Sequence, residues 1–297
     1  MILMKYGVRC SAIIVVLALT GCSVHSPSPG KISVVAGLYP YAWLAQEIGG
    51  THVEVTNLTP PGAEPHDLEL TAKQVASVQI SDLAIYEAGL QPNVDSAVAQ
   101  TRPAHSLDVT TVVPLEVHDI GTDRNLDPHI WLDPMRMITL AQAIAGQLIE
   151  IDPANEQAYA DGLASLLSLL AGIDSDYSSG LASCDRTQFL TTHAAFGYMA
   201  ERYGLTQISI SGLSPDAEPS PDRIVEIHRI AEEQRLTTVF FETLTSPELA
   251  QSIADDLHLR TDVLDPIEGI TDQSRGSDYP QIMSSNLTAL IQANGCR

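Results

Sequence analysis

Residues 32–58, ISVVAGLYPYAWLAQEIGGTHVEVTNL, contain a strand, a helix and a second strand, and this unit decides the fold class. The apolar run 32–36 predicts a buried strand, and residues 41–48 predict a helix that ends at a pair of glycines. Residues 53–58 predict the second strand. Strands that alternate with helices in this way are typical of a parallel, doubly wound α/β sheet.

The alternation of strands and helices continues to about residue 109 and begins again at residue 188. Between the two series, residues 153–179 predict a helix about 40 Å long at 1.5 Å per residue. Its apolar residues recur at intervals of three and four, which indicates one buried stripe. We therefore predict two doubly wound α/β lobes, 32–152 and 183–297, joined by a long rigid linker helix over 153–182.

The first 21 residues have the pattern of a secretory signal peptide, because a basic head precedes an apolar run too short to cross a bilayer. The run ends at residues 19–22, LTGC, which resemble a bacterial lipobox. That resemblance implies cleavage before Cys22 and a lipid on its thiol, which would anchor the protein to the outer face of the cell membrane. Residues 22–31 are rich in serine, proline and glycine, and we expect a flexible tether there.

Cysteine usage points to an oxidising compartment. Of the four cysteines, Cys10 would leave with the signal peptide and Cys22 would carry the lipid. Cys184 and Cys296 remain as an even pair, and we predict a disulfide between them. Two buried free thiols are the alternative.

The net charge of −22 argues against partners that carry phosphate. An acidic surface repels nucleic acids and anionic lipid headgroups, so we expect no nucleic-acid partner. Contact with the membrane is expected only through the lipid on Cys22, and we expect the protein to be a monomer.

Four loops that follow strands or precede a helix carry histidine or carboxylate side chains, and three of them also contain proline. In α/β sheets of this type, ligands bind at the carboxyl ends of the strands, so these loops form the candidate site. The four loops are residues 60–67 (PPGAEPHD), 127–134 (DPHIWLDP), 191–198 (TTHAAFGY) and 264–269 (LDPIEG). Zinc prefers imidazole nitrogen and carboxylate oxygen in a tetrahedron, and a shell filled by protein atoms favours binding over hydrolysis.

The four loops, in this order, resemble the metal-specific solute-binding proteins of bacterial ABC transporters, the cluster A-I or zinc-uptake and TroA-like family. The resemblance covers nearly the whole chain after the signal peptide, and it is strongest to the branch of streptococcal laminin-binding zinc lipoproteins. It implies two α/β lobes, a long connecting helix and one metal ion in the cleft between the lobes. It also implies a non-enzymatic protein that binds zinc outside the cytoplasm and delivers it to an ABC permease.

By this resemblance, His66, His129 and His193 are the first three zinc ligands. A histidine at the third position favours zinc over manganese, because imidazole suits zinc and oxygen suits manganese. The fourth ligand is expected to be Glu268, with Asp265 and Glu64 as alternatives.

Further acidic residues beside the ligands are expected to orient the imidazoles, or else to cap the backbone. These residues are Asp67, Asp127 and Asp133. The other six histidines, His118 among them, are expected to be structural or exposed. Many zinc-uptake proteins carry a long histidine-rich loop between the first two ligands, but residues 116–126 are short and contain one histidine. A metal-collecting loop is therefore not expected.

Three alternative functions are also compatible with the sequence. The first is manganese or iron binding within the same transporter class, and the second is a metal-dependent adhesin on the cell surface. The third is a zinc hydrolase, although the sequence contains neither a His-Glu-x-x-His helix nor a Gly-x-Ser-x-Gly turn.

Overall fold

A computed structural model describes residues 30–118, 126–213, 218–244 and 246–297. The predicted signal peptide, Cys22 and all but the last two residues of the predicted tether lie outside these ranges. Among the helices in these ranges, none is both long enough and apolar enough to cross a membrane.

The first half of the chain forms a parallel sheet whose described strands have the order β2-β1-β3-β4. Each strand is joined to the next by a helix or loop that crosses back over the sheet, as residues 32–58 predict. The elements are β1 (Ile32–Ala36), α1 (Tyr39–Gly49), β2 (Val53–Asn57), α2 (Ala72–Ile80), β3 (Leu83–Tyr86), α3 (Pro92–Thr101) and β4 (Ser106–Asp108).

Two helices separate the two sheets, α4 (Pro134–Ile151) and α5 (Glu156–Gly180). The prediction started the second helix at residue 153, but residues Pro153–Asn155 form a separate 3-10 turn. The reason is Asp152, whose Oδ2 accepts hydrogen bonds from Asn155 Nδ2 and Tyr159 Oη and so holds the chain in a turn. With 25 residues, α5 is about 38 Å long.

The second half repeats the topology of the first, since its described strands have the order β6-β5-β7-β8 and all pair in parallel. The elements are β5 (Gln188–Thr191), α6 (Gly197–Arg202), β6 (Thr206–Ser209), α7 (Pro221–Glu233), β7 (Thr238–Phe241), α8 (Glu248–Leu257), β8 (Arg260–Val263) and α9 (Tyr279–Asn294).

The long helix α5 joins the two halves by packing against α1, α4 and α9. Its buried residues lie on the predicted stripe and belong to a core that includes side chains from both sheets. The stripe residues are Tyr159, Leu166, Leu170, Ile173 and Tyr177. The predicted fold class, two α/β lobes and a long helix, is therefore confirmed. We propose 32–152, 153–182 and 183–297 as the limits of the first lobe, the linker and the second lobe.

The predicted disulfide between Cys184 and Cys296 is present in the structure. It ties the end of α9 to the segment just before β5, where Arg186 N donates to Asn294 O at 3.1 Å. The bond closes a long loop, with a sequence separation of 112. A cross-link of this length reduces the conformational freedom of the unfolded chain.

Replacing both cysteines by serine is expected to lower the free energy of unfolding by about 2–5 kcal/mol. Urea unfolding of the oxidised protein and of the Cys184→Ser, Cys296→Ser variant measures the difference. Wild-type protein treated with reductant is the control, and it should approach the variant. Identical urea midpoints for the oxidised protein and the variant would rule out a stabilising disulfide.

Candidate metal centre

The predicted ligands come from four separate loops at the carboxyl ends of the strands. His66 lies in the loop after β2, and His129 lies between β4 and α4. His193 is two residues beyond β5, and Glu268 follows β8. Each half of the chain therefore contributes two side chains.

The structure brings these four side chains together, with one ligand atom from each lying within 4.8 Å of all the others. His66 Nε2 and His129 Nε2 are 3.5 and 3.4 Å from Glu268 Oε1. The rings of His129 and His193 have centroids 4.9 Å apart. Zinc with bonds of about 2.0–2.1 Å needs tetrahedral ligand atoms about 3.3 Å apart, close to the two measured distances.

The ligand atoms are buried and lack hydrogen-bond partners. Glu268 and His129 are fully buried, His193 is almost so, and the His66 side chain is 16% exposed. Among the described residues, the three Nε2 atoms and both Glu268 oxygens have no hydrogen-bond partner. Buried polar atoms in proteins are nearly always paired, so the convergence of unpaired ligand atoms from four residues indicates a site for a cation.

Asp127 fixes the orientation of His129. Its Oδ1 accepts from His129 N at 2.9 Å and lies 2.8 Å from His129 Nδ1, which turns Nε2 toward the centre. Burial disfavours the charged forms of Asp127 and His129, but the contacts of these two side chains together have the larger effect on both pKa values. The contacts with His118 and His129 lower the pKa of Asp127 to about 2. The Asp127 and Glu268 carboxylates raise the pKa of His129 to about 10.

His118 also contacts Asp127, which agrees with the expectation of a structural role. Its Nδ1 lies 2.7 Å from Asp127 Oδ2 and its Nε2 lies 3.2 Å from Glu201 Oε2. Gly197 leaves room for this contact, since a Cβ there would lie 2.6 Å from both Asp127 and His118. His118 and Glu201 can gather around a metal with Glu116, but both glutamates are exposed.

Glu242 orients His193, and the sequence reasoning missed it. Glu242 Oε1 lies 2.6 Å from His193 Nδ1, and both side chains are buried. Burial lowers the pKa of His193, but the charge of Glu242 outweighs burial, so the net shift is upward. The position of Glu242 in the sequence could have indicated this role, because Glu242 directly follows β7 at the edge of the sheet that carries the other ligands.

Two of the three acidic residues expected to orient imidazoles do not do so. Asp67 is exposed at the surface. Asp133 accepts from Met135 N at 2.8 Å and thereby caps α4, and it contacts Arg202 at 3.4 Å. The capping role that was the alternative for Asp133 is the one the structure shows.

Neither alternative for the fourth ligand belongs to the cluster. Glu64 Oε1 accepts from His66 N at 3.1 Å, and burial and the Glu268 charge raise its pKa to about 7. Asp265 directs its oxygens to Ile267 N, Ser274 Oγ and Thr243 Oγ1. Glu268 is therefore the carboxylate that faces the three imidazoles.

The family model ZnuA, described as zinc-uptake complex component A periplasmic, matches residues 34–293. The chain belongs to the ZnuA family. Among curated ZnuA-family relatives, it is 33% identical to the zinc-binding lipoprotein AdcA of Streptococcus pneumoniae over 93% of its own length. It is 31% identical to the high-affinity zinc uptake system protein ZnuA of Bacillus subtilis, over 88% of this chain and 86% of that protein.

Solved structures of ZnuA-family relatives have the same fold. The Zn(II)-bound ZnuA-like domain of AdcA superposes with a TM-score of 0.77 at 32% identity, covering 89% of this chain and 99% of that one. The laminin-binding protein Lmb of Streptococcus agalactiae, described as bifunctional with adhesin and metal-transporting activity, gives a TM-score of 0.78 at 27% identity, over 88% and 99% of the two chains. The laminin-binding branch is thus among the structural neighbours, at lower identity than AdcA.

The chain covers 58% of the length of AdcA itself. Its match lies in the ZnuA-like part of that longer lipoprotein.

Proposed function

We propose that this ZnuA-family protein binds one zinc ion and delivers it to the permease of an ABC importer. The ligands would be Nε2 of His66, His129 and His193 and one carboxylate oxygen of Glu268. The observation that carries the proposal is the convergence of buried donor atoms without hydrogen-bond partners.

The donor set favours zinc over manganese or iron. Three imidazole nitrogens and one carboxylate suit zinc, whereas a manganese site would use more oxygen. Four protein ligands also fill a tetrahedral shell. A catalytic zinc keeps one position for water, so the arrangement supports capture and release of the ion rather than hydrolysis.

The relatives support the transport role and the location. AdcA is named a zinc-binding lipoprotein, and the Bacillus subtilis relative is named a component of a zinc uptake system. We propose that this chain acts outside the cytoplasm as a monomer, anchored to the membrane by a lipid on Cys22. The cognate permease would be its partner.

Elemental analysis and competition calorimetry test the metal preference. Purified protein should contain one zinc per chain, and added zinc should displace manganese. Protein that keeps manganese in the presence of equimolar zinc would contradict the proposal.

Replacing Glu242 by glutamine is expected to weaken zinc binding about 10–100-fold. The carboxylate only accepts hydrogen bonds, so it keeps the proton on His193 Nδ1 and leaves the Nε2 lone pair for the ion. A glutamine amide can instead donate to Nδ1 and favour the wrong tautomer. A chelator competition titration measures the change.

The matched control is Glu233→Gln, because Glu233 is exposed and pairs with Arg229 on the outer side of α7. It should bind zinc as tightly as wild type. Equal affinities for Glu242→Gln and Glu233→Gln would show that Glu242 does not orient the ligand.

A further inference from the structure

The residue immediately before Glu268 has a strained backbone. Ile267 has a φ of 60° and is fully buried. A β-branched residue rarely adopts this left-handed conformation, because its side chain crowds the backbone. Such strain persists where surrounding contacts enforce it, and it is concentrated at binding sites.

The side chain of Asp265 enforces the conformation. Its Oδ1 accepts from Ile267 N at 2.8 Å, and its Oδ2 accepts from Ser274 Oγ at 2.9 Å and from Thr243 Oγ1 at 3.3 Å. Asn286 on α9 holds the backbone of the same residue, since Asp265 N donates to Asn286 Oδ1 at 2.9 Å and Asn286 Nδ2 donates to Asp265 O at 2.7 Å.

The same turn is tied to the loop that carries His129. Trp131 Nε1 donates to Pro266 O at 2.6 Å, and Tyr279 Oη donates to Trp131 O at 2.7 Å. Pro266 lies between Asp265 and Ile267. Asn286 therefore holds the turn at Asp265, the Asp265 carboxylate holds it at Ile267, and the loop that carries His129 holds it at Pro266. A small rotation at Ile267 would swing the Glu268 carboxylate away from the three imidazoles.

We propose that Asp265 is a positioning residue for zinc. Its carboxylate locks Ile267 in the left-handed conformation, and that conformation aims Glu268 at His66, His129 and His193. The inference rests on the proposed function and deepens it, because it assigns separate roles to the two carboxylates of one loop. Asp265 holds the turn, and Glu268 binds the ion.

Three variants test the role by zinc affinity, measured by chelator competition. Asp265→Ala should bind zinc about 10–100-fold more weakly than wild type, as expected for loss of a group that supports a ligand. Asp265→Asn should stay within about threefold of wild type, because its Oδ1 can still accept from Ile267 N. Glu268→Ala should lose more affinity than Asp265→Ala, because it removes a ligand.

Rescue at Ile267 separates a positioning role from general damage to the fold. In the Asp265→Ala background, Ile267→Gly should recover most of the lost affinity, because glycine adopts a positive φ without a clamp. Ile267→Ala is the matched control, since it also removes the buried side chain but keeps a Cβ. It should recover none. Thermal unfolding of both double variants checks that they are folded.

The visible spectrum of bound cobalt(II), used in place of zinc, reports on the ligands. Asp265→Ala should keep the wild-type spectrum at saturating cobalt, whereas Glu268→Ala should change it.

Four results would overturn the proposal. They are wild-type affinity in Asp265→Ala, weak binding in Asp265→Asn, equal affinities for the glycine and alanine double variants, and an altered cobalt spectrum in Asp265→Ala. In each case wild-type protein still binds zinc, and the proposed function stands. Wild-type protein that binds neither metal would overturn the proposed function and this inference together.

Discussion

Replacing His193 by alanine is expected to weaken zinc binding by about two to three orders of magnitude. Structural zinc sites bind with apparent free energies of about 10–16 kcal/mol. Shared among four ligands, this is about 2.5–4 kcal/mol each, and about 1.4 kcal/mol is a factor of ten. His193 is buried and its Nε2 has no hydrogen-bond partner among the described residues, so zinc would lose a ligand that no neighbour replaces.

Chelator competition measures this loss, with elemental analysis of the purified variant as a second readout. The matched control is His105→Ala, because His105 lies before β4 and away from the four ligand loops. That variant should keep wild-type affinity and one zinc per chain. A His193→Ala variant that binds zinc as tightly as wild type would show that His193 is not a ligand.

The second large effect is a fall in zinc affinity of about a thousandfold between pH 8 and pH 5. Burial opposes a proton on His129, but the Asp127 and Glu268 carboxylates raise its pKa to about 10. The metal-free protein therefore keeps this proton throughout the range, and zinc must displace it. One proton released per ion gives about a tenfold change in affinity per pH unit, with binding weaker at lower pH.

The raised pKa of His193 also weakens zinc binding at low pH. We therefore expect the affinity to fall by at least a thousandfold between pH 8 and pH 5. Calorimetry in buffers with different ionisation enthalpies counts the protons released, and chelator competition at each pH gives the affinity. At least one proton should be released per zinc. An affinity that is flat from pH 5 to 8 would contradict a site built on these imidazoles.

The architecture follows from local sequence patterns. The strand–helix–strand unit over residues 32–58 and the apolar stripe of α5 depend on residues close together in the chain, and periodicity records such residues well. The start of α5 was misplaced because it depends on one side chain. Asp152 holds a 3-10 turn that the periodicity does not show.

The candidate site was predictable where loop position and residue type coincide. Each of the three histidines stands on a loop beside a predicted strand or helix. The supporting residues were harder to find, because their contacts depend on features of the fold that local sequence patterns do not show. Glu242 is 49 residues from His193. Asp265 was expected as a possible ligand, and its contact with Ile267 depends on a left-handed backbone that an isoleucine does not suggest.

Hydrogen bonds between the two halves hold the site together. Tyr198 on α6 donates to Asp127 O at 2.7 Å, beside the His129 loop. Trp131, two residues after His129, donates to Pro266 O in the Glu268 loop. Because these bonds are buried, we expect the ligand loops to be largely in place before zinc arrives and loading to require only small movements.

A crystal structure of the protein grown with zinc would show the four ligands directly. We expect one ion about 2.0–2.2 Å from Nε2 of His66, His129 and His193 and from an oxygen of Glu268, with Asp265 still accepting a hydrogen bond from Ile267 N. Zinc held by other side chains, or these four too far apart to reach one ion, would contradict it.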